Sequence, residues 1–543
     1  MSSFRFLCAI VLAMFAGLSE RTLASQPDNA RPNIVFILAD DLGMGDTKCY
    51  GGKLCKIDTP NIDVLAKGGM RFTDAHASAS VCVPTRVAIM SGKYPWRFGP
   101  PQPGGAWGFL GLRFSTDTFT LGDLLRNAGY RTGYIGKWHL GTEMTTKDGK
   151  VQNKTNVDYT KPLKVGPVQY GFDYSFILPG SLDMYPYAFA RNNVWQGEVT
   201  AQKGWSAFNR VGPAEKNFQD HAVLETLYGE AETFIRKQKK DRPFFLYLAL
   251  TAPHTPTCPS KKFKGKSKLG VYGDFVMEVD HAVERVINAL KESGLHDNTL
   301  VLFSSDHGAA SYAGNILRAT AGQIHLLERL GHFASGPYRG FKFSVYGGGL
   351  RVPLIAYWPG VIPRSSECDA LVGLNDLMAT FAEITGEKLR PRDGPDSISF
   401  AKLLRNPKAK RTRQNLIMQS TGPFVVRDGH WKLCLCPGSG SMSRFSSEPT
   451  PQKAWPKALK QFGKAPTRKD LNKAPFVQLF DVSKDVHEDD NLAAKHADRV
   501  AKMVELLNRQ IRKGRSTPGP MLENGRKNIS IHWIPEFVRK KLQ

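Results

Sequence analysis

The chain has 543 residues, of which 41% are hydrophobic and 23% charged, a composition typical of a globular protein with room for two domains. Beyond the N-terminus no stretch reaches about 18 apolar residues, which excludes a typical membrane-spanning helix. Lys and Arg number 74 against 49 Asp and Glu, so the formal net charge is +25. That excess of positive charge favours a polyanionic partner, which could be nucleic acid, sulfated polysaccharide or an anionic surface. The alternative is an exported protein that is diffusely basic and has no specific polyanionic partner.

Residues 1–24 have the pattern of a secretory signal peptide. Arg5 precedes a short apolar run from Phe6 to Leu18, and Thr22 and Ala24 supply small residues for cleavage. The alternative is an uncleaved membrane anchor. We therefore expect a secreted or periplasmic protein, with no membrane insertion after cleavage.

Four short apolar runs each end abruptly in polar residues. Continuous apolar runs predict strands buried on both faces of a mostly parallel sheet. In an open α/β sheet, ligands bind beyond the carboxyl ends of such strands, so the four polar ends should converge on one crevice. The runs are 33–39 before Asp40 and Asp41, 134–136 before Lys137 and His139, 244–250 before His254, and 300–303 before Asp306 and His307.

Helical patterns lie between these runs. Thr59 and Pro60 cap a helix that Gly68 ends, and apolar residues from Val276 to Leu290 mark a second helix that stops near Gly294. Alternating strands and helices predict an α/β fold, with irregular elements over the site in residues 142–230.

The pattern changes near residue 400. Residues 424–435 predict a hairpin that turns at Asp428-Gly429, and a helix follows over residues 491–512. Residues 437–475, rich in Pro, Ser and Lys, predict a long loop. We expect a catalytic α/β domain over residues 25–400 and a smaller α+β subdomain, with a short antiparallel sheet, over residues 401–543.

The run Cys82-Val-Pro-Thr-Arg86 carries the first candidate for chemistry. With Pro84 in the first turn, residues 83–91 continue as a helix and Cys82 lies at its N-terminus. Free N–H groups and partial positive charge at that end suit a sulfate or phosphate oxyanion. A buried structural cysteine and a thiolate nucleophile are the other interpretations, and the thiolate needs a base close by. Elsewhere, the spacing of Cys49 and Cys55 is compatible with a local disulfide.

Two pairs of adjacent residues with metal-ligating side chains favour a metal site. Asp40 and Asp41 are adjacent carboxylates at a strand end, and they repel each other unless a cation neutralises them. Asp306 and His307 follow an independent strand and strengthen that interpretation, although adjacent Asp residues are more often a solvated turn. The imidazole leaves room for a transition metal.

The string Gly136-Lys-Trp-His-Leu-Gly141 carries a lysine and a histidine two positions apart. In an extended backbone the two side chains point the same way. Lys137 can bind an oxyanion as a point charge, and His139 can accept a proton.

These motifs together resemble the type I sulfatase family, the formylglycine-dependent and arylsulfatase-like members of the alkaline-phosphatase-like superfamily. The resemblance runs from about residue 32 to about residue 515 and includes Cys82 to Pro95, Gly136 to Gly141, and Arg351 to Pro353. It implies a large mixed sheet between helices, plus a small C-terminal sheet with a helix. It also implies that a formylglycine-generating or maturase enzyme oxidises Cys82 to formylglycine, whose hydrate attacks sulfur, and that calcium is the cofactor.

The resemblance also implies the roles of the site residues. His254 would contact the leaving-group oxygen, and Lys342 would bridge the sulfate and the leaving group. The family's Lys-Gly-x-x-x-Glu-Gly-Gly segment is altered here, because Phe343 replaces the first glycine and Gly347 the acidic residue. The implied catalytic residues are Cys82, Arg86, Lys137, His139, His254 and Lys342, and the implied metal ligands are Asp40, Asp41, Cys82, Asp306 and His307.

The sequence therefore predicts an exported sulfuric ester hydrolase. Its charge and export favour a sulfated carbohydrate as the substrate. Two alternatives stay open at this point: a phosphodiester or phosphonate monoester hydrolase of the same superfamily, and a catalytically silent polyanion-binding protein. We expect no nucleic-acid partner, since no recognised nucleic-acid-binding motif accompanies the charge.

Overall fold

A computed structural model describes residues 31–204, 210–313, 323–441 and 477–531. The predicted signal peptide, and all but the first residues of the loop predicted at 437–475, lie outside these ranges. The strands are β1 (Asn33–Asp40), β2 (Met70–Phe72), β3 (Ala75–His76), β4 (Arg131–Lys137), β5 (Glu143–Met144), β6 (Leu163–Val165), β7 (Tyr174–Leu178), β8 (Ala190–Arg191), β9 (Val194–Trp195), β10 (Ala201–Lys203), β11 (Gly212–Ala214), β12 (Phe244–Pro253), β13 (Thr299–Ser305), β14 (Leu354–Tyr357), β15 (Ser366–Cys368), β16 (Val372–Gly373), β17 (Asn415–Gln419), β18 (Phe424–Asp428), β19 (Trp431–Cys434) and β20 (Gln478–Asp481). The helices are α1 (Lys48–Gly51), α2 (Pro60–Gly68), α3 (Cys82–Ser91), α4 (Leu121–Asn127), α5 (Val223–Arg236), α6 (Gly270–Glu292), α7 (His325–Glu328), α8 (Gly347–Leu350), α9 (Leu377–Thr385), α10 (Ala401–Arg405) and α11 (Ala497–Lys513).

The largest sheet has ten strands in the order β15-β2-β14-β13-β1-β12-β4-β7-β8-β9. Its five middle strands, β13, β1, β12, β4 and β7, run parallel to one another. The strands β14 and β8 run antiparallel to the middle five and make the sheet mixed. The four strands predicted from the apolar runs are thus neighbours in one sheet, with their carboxyl ends at the same edge.

Helices cover both faces of this sheet. Alternate residues of β1 enter two apolar clusters: Ile34, Phe36 and Leu38 pack on one side, and Val35, Ile37 and Ala39 on the other. Helices α3, α4 and α9 contribute to the first cluster, and α2, α5 and α6 to the second. Burial on both faces explains why these strands are continuous apolar runs and not alternating ones.

Two helix predictions are confirmed, with different accuracy. Helix α2 begins at Pro60 and ends at Gly68, as the cap and the glycine indicated. Helix α6 contains the predicted stripe from Val276 to Leu290 but begins earlier, at Gly270. Its first turns carry polar residues that hold a neighbouring loop, so they do not continue the apolar pattern.

The C-terminal part forms a separate antiparallel sheet in the order β17-β18-β19-β20. The predicted hairpin is β18 and β19, with Asp428 paired to Trp431 across a two-residue turn. Helix α11 packs Val500, Met503 and Leu507 into the apolar cluster of this sheet. It begins at Ala497 and not near residue 491 as predicted. The boundary placed at residue 400 stays a prediction.

The suggested disulfide between Cys49 and Cys55 is wrong, since both thiols are free in the structure. The Cys55 thiol instead donates to the carbonyl oxygen of Ile57 at 3.4 Å. Among the described residues, no helix combines the length and the apolar character that crossing a membrane requires.

Candidate active site

The polar ends of the four predicted strands meet at the carboxyl edge of the large sheet. The backbone N–H of Asp41, after β1, donates to the Asp306 carboxylate, after β13, at 3.2 Å. Lys137, the last residue of β4, donates to Asp40 at 2.7 Å. His254 follows β12 directly, and its Nε2 lies 3.6 Å from the Asp41 carboxylate. The convergence expected from the sequence is therefore observed.

Cys82 is the first residue of helix α3, with Pro84 in the first turn as predicted. Its thiol is buried, 3.3 Å from the Nε2 of His307 and 3.4 Å from the Nζ of Lys342. Burial raises the pKa of the Cys82 thiol, although Lys137 and Lys342 oppose the rise. The unmodified thiol is therefore protonated at neutral pH, which argues against a plain thiolate nucleophile.

Arg86 lies one turn further along α3 and is fully buried. Its guanidinium donates to the Asp306 carboxylate at 3.1 Å and to the carbonyl oxygen of Lys137 at 3.2 Å, and it lies 3.4 Å from Asp40. Burial would raise the pKa of Asp306, but His307 and Arg86 hold it well below its ordinary range. Arg86 therefore fixes three strand ends against the helix that carries Cys82.

Two lysines pair with the adjacent carboxylates. Lys137 contacts Asp40, and the Nζ of Lys342 lies 2.7 and 2.9 Å from the two carboxylate oxygens of Asp41. Burial would raise the pKa of Asp40, but Lys137 brings it below its ordinary value. Burial raises the pKa of Asp41 despite Lys342. Lys342 therefore does not fully compensate the burial of the Asp41 carboxylate, and a further cation would stabilise its ionised form.

The donor set suits a divalent cation. Two groups of side chains hold ligand atoms within 4.8 Å of one another, and they share Cys82: one adds Asp40, Asp41 and His254, the other Asp306 and His307. Oδ1 of Asp40 is buried without a hydrogen-bond partner. Three buried carboxylates with an unsatisfied oxygen fit an oxygen-preferring ion such as calcium. His254 was not among the predicted ligands, while the predicted His307 lies 3.3 Å from the Asp41 carboxylate.

The backbone conformation that positions His139 differs from the extended one considered from the sequence. The chain leaves the extended conformation after β4, and His139 has a φ of 55°, in the left-handed region. Its Nδ1 is buried without a hydrogen-bond partner. Burial, followed by the charges of Lys137 and Arg86, holds the pKa of His139 well below its ordinary range. The imidazole is therefore neutral and able to accept a proton.

The tautomer of His254 follows from its surroundings. Its Nδ1 lies 2.6 Å from the carbonyl oxygen of Thr255, and a carbonyl only accepts, so Nδ1 carries a proton. Burial, and then the charge of Lys342, holds the pKa of His254 well below its ordinary range. The neutral ring therefore directs the free lone pair of Nε2 toward the carboxylates.

Asp183 is a site residue that sequence reasoning missed. Its Oδ1 is buried without a hydrogen-bond partner, 3.9 Å from the Nδ1 of His254. Its Oδ2 accepts from Arg210 at 2.6 Å, and the Arg210 guanidinium lies 3.4 Å from the centre of the Trp107 ring. The only signal in the sequence is a weak one, since Asp183 belongs to the irregular stretch 142–230 that is expected to lie over the site.

The segment around Lys342 differs from the family pattern but holds its lysine firmly. The N–H of Lys342 donates to Ala309 at 2.8 Å, and that of Phe343 donates to Ser80 at 2.9 Å. Phe343 has a φ of 74°, a conformation that favours the glycine found there in the family pattern. Gly347 stands where the family pattern has an acidic residue. Its N–H donates at 2.7 Å to Glu488, a carboxylate from a distant part of the sequence.

Comparison with known proteins places this geometry in a family. The Sulfatase family model matches residues 32–387. N-acetylgalactosamine-6-O-sulfatase of Bacteroides thetaiotaomicron is 30% identical over 536 residues, covering 91% of this chain and 96% of that protein. Human arylsulfatase A is 30% identical over 521 residues, covering 92% and 89%.

A solved structure from a study of the metabolism of multiple glycosaminoglycans by Bacteroides thetaiotaomicron has a TM-score of 0.72 at 27% identity. The alignment covers 89% of this chain and 99% of the chain in that structure. The likeness confirms the predicted fold, a large mixed sheet between helices with a small antiparallel sheet near the C-terminus. Since the family model spans most of the chain and both relatives match almost end to end, the chain belongs to the sulfatase family, the enzymes that hydrolyse sulfate esters.

Proposed function

We propose that this sulfatase removes sulfate from a sulfated carbohydrate, with a formylglycine formed from Cys82 and with calcium as the bound cation. The observation that carries the proposal is the position of Cys82. Its side chain lies at a helix N-terminus and contacts a lysine and a histidine, in a buried cluster with three carboxylates. Helix N–H groups and lysines suit the oxygens of a sulfate group.

Calcium would be held by Asp40, Asp41, Asp306 and His307 together with the modified side chain at position 82. Hydrated formylglycine supplies an oxygen nucleophile for sulfur, and the cation supplies positive charge to the sulfate oxygens. A maturation enzyme would form the aldehyde. We propose that the maturation enzyme modifies the chain at the time of its export, since a signal peptide is predicted.

The charge balance of the site suggests how the sulfate is bound. The three carboxylates of Asp40, Asp41 and Asp306 pair with three cations, those of Arg86, Lys137 and Lys342. The pKa of Asp41 is nevertheless raised beside Lys342, so the site could accept the two further positive charges that a divalent cation would supply. With that cation held there, the ammonium groups of Lys137 and Lys342 would be available to the sulfate oxygens. Arg86 keeps its guanidinium on Asp306 and holds position 82 in place.

Two neutral histidines supply the proton transfers. Nδ1 of His139 is buried and unpaired, within the field of Lys137 and Arg86, so His139 would accept the proton that the nucleophile loses. His254 lies beside Asp41 and Asp183. Its Nε2 carries a lone pair in the structure, so His254 would donate to the oxygen of the departing alcohol only after taking up a proton at Nε2, which the negative charge of a bound sulfate ester favours. Asp183 lies near Nδ1 of His254 and supports that proton by its charge.

A carbohydrate substrate is supported by two independent observations. The formal net charge of +25 attracts an anionic polymer, and sulfated polysaccharide is the one that an exported enzyme meets. The relative from Bacteroides thetaiotaomicron carries the name N-acetylgalactosamine-6-O-sulfatase. Sulfate and phosphate are near-isosteric, so matched sulfate and phosphate esters must be compared directly. Faster hydrolysis of the phosphate ester would contradict the proposal.

The test of the nucleophile uses Cys82→Ala and the mass of the tryptic peptide Phe72–Arg86. We expect the peptide to carry an aldehyde in place of the thiol when the protein is made with a maturation enzyme. Cys82→Ala should lose turnover by at least about three orders of magnitude while it stays folded. Cys49→Ala, which changes a thiol in α1, is the matched control and should keep full activity. Comparable rates for Cys82→Ala and the control would refute the assignment.

A further inference from the structure

Residues 261–268 form the most basic short segment at the catalytic edge of the sheet. They read Lys-Lys-Phe-Lys-Gly-Lys-Ser-Lys, and all five lysines are exposed. No Asp or Glu occurs in the sequence between Asp241 and Asp274. Among the described residues, no carboxylate forms an ion pair with any of the five lysines, whereas the buried Lys137, Lys342 and Lys432 each have one. Within the described residues, Lys262 is the one lysine of the five with a side-chain hydrogen-bond partner, the imidazole of His281 at 3.0 Å, and its Nζ also lies 5.5 Å from the centre of the Phe263 ring.

Two buried acidic side chains hold the backbone of this segment. Asp274, on α6, accepts from the N–H of Gly265 at 2.7 Å and from that of Ser267 at 2.6 Å. Glu278, one turn further, accepts from the N–H of Ser260 at 2.8 Å. Both carboxyl groups are buried. The segment therefore has a fixed backbone shape and presents its ammonium groups outward without neutralising partners.

The segment lies on the same edge of the sheet as the active site. It joins the end of β12, directly after His254, to the start of α6, and α6 returns to the opposite edge before β13 begins. Tyr272, in the first turn of α6, donates to Asp46 at 2.8 Å, in the stretch that follows the carboxylates of β1. Because Lys261 follows His254 so closely in the chain, the first lysine lies within about 25 Å of that histidine.

The chemistry of the segment favours a sulfated polymer over a nucleic acid. Single-stranded nucleic acid is held by exposed aromatic side chains on which bases stack. The one aromatic side chain here, Phe263, is half-buried and packs with its ring centre 5.2 Å from that of His281. What remains outside is a row of compact point charges, which suits the dispersed sulfates of a polysaccharide.

We propose that residues 261–268 are an exosite that binds further sulfates of a polysaccharide while one sulfate ester occupies the site at Cys82. This inference rests on the proposed carbohydrate substrate. It implies that the enzyme prefers a multiply sulfated chain to a small sulfate ester. The preference arises from a lower KM for the polymer and not from faster chemistry.

The test compares two triple variants with equal loss of charge. K261Q/K264Q/K266Q removes three exposed lysines of the exosite and leaves Lys262 with its histidine. K237Q/K239Q/K240Q removes three exposed lysines between α5 and β12, at the opposite edge of the sheet, and is the matched control. The thermal unfolding midpoint of each variant establishes that it is folded.

Binding is measured with heparin over a range of NaCl concentrations, and catalysis with a small aryl sulfate. For the exosite variant we expect heparin to bind about tenfold more weakly at low salt, with a shallower salt dependence, because three ammonium contacts are lost. The control should bind within about twofold of wild type. Both variants should keep the wild-type kcat/KM for the aryl sulfate.

Three outcomes would overturn the exosite. Heparin binding could be weakened equally in both variants, or in neither. Single-stranded DNA of equal charge could also bind the wild type as tightly as heparin does and lose as much affinity in the exosite variant. The proposed function fails separately, through absence of sulfate release from any carbohydrate sulfate by the mature wild-type enzyme. The heparin measurement does not depend on turnover and decides the exosite in that case too.

Discussion

Lys137→Met provides the sharpest test of whether calcium and Lys137 both neutralise the Asp40 carboxylate. Lys137 and Asp40 are both fully buried, and the Nζ of Lys137 lies 2.7 Å from Oδ2 of Asp40. Methionine keeps most of the side-chain volume and removes the charge. In protein stripped of metal, the substitution leaves the buried Asp40 carboxylate with Arg86, 3.4 Å away, as its nearest cation.

The size of the effect follows from this geometry. Removal of one partner of a buried ion pair costs about 3–5 kcal/mol, and the remaining contact of Arg86 places the expected loss near the lower value, about 3 kcal/mol. With calcium bound, the metal neutralises Asp40 in place of the lysine, and the loss should fall to about 1 kcal/mol or less. For a chain of this length, about 1 °C of unfolding midpoint corresponds to 1 kcal/mol.

The assay is thermal unfolding of wild type and variant in excess chelator and in excess calcium. Lys432→Met is the matched control, because its ammonium group pairs with the buried Glu488 at 2.8 Å in the C-terminal sheet. The control should lose the same amount in both conditions. An equal loss for Lys137→Met in chelator and in calcium would show that the metal and Lys137 do not compensate the same carboxylate, and the charge-balance argument would then be wrong.

Two further predictions use other buried carboxyl groups. Burial raises the pKa of Glu278 from its ordinary 4.5 to about 7. The folded protein therefore keeps a proton that the unfolded chain releases, and stability falls as the pH rises from about 4.5 to about 7. Glu278→Gln removes this dependence and should be more stable than wild type at pH 8, by up to about 3 kcal/mol, with little difference below pH 4.5 in urea unfolding; a constant difference across that range would contradict the assignment. Asp183→Asn should lower kcat for an aryl sulfate by about tenfold with unchanged folding, because the charge beside Nδ1 of His254 is lost, and an unchanged kcat would exclude that role.

The parts of the fold that the sequence predicts are those set by local physics. Apolar runs buried on both faces mark β1, β4, β12 and β13, and the polar residues after them mark the edge where ligands bind. Proline in the first turn locates the starts of α2 and α3, so Cys82 is assigned to a helix N-terminus from a five-residue pattern. These features depend on a few neighbouring residues and on sheet geometry alone.

Other features depend on contacts that span the chain. Helix α11 begins later than predicted because Asn491 is engaged elsewhere: its side chain accepts from the N–H of Leu479 and of Ala493, at 3.0 Å each. Asp183 lies beside His254 and accepts from Arg210, whose guanidinium in turn lies over the ring of Trp107, so its position depends on residues from other segments. A polar residue in a loop carries no local sign of such partners.

The placement of His139 shows how a strained residue and a functional one coincide. A non-glycine residue with a φ of 55° costs energy unless its surroundings fix it. Here the N–H of Trp138 donates to Leu178 at 3.0 Å and that of His139 donates to Pro179 at 3.1 Å, so the end of β7 holds the turn. The turn keeps the ring of His139 within the field of Lys137 and Arg86. Burial, and then that field, keeps the imidazole neutral, and a neutral imidazole is the form that the proposed role as proton acceptor requires.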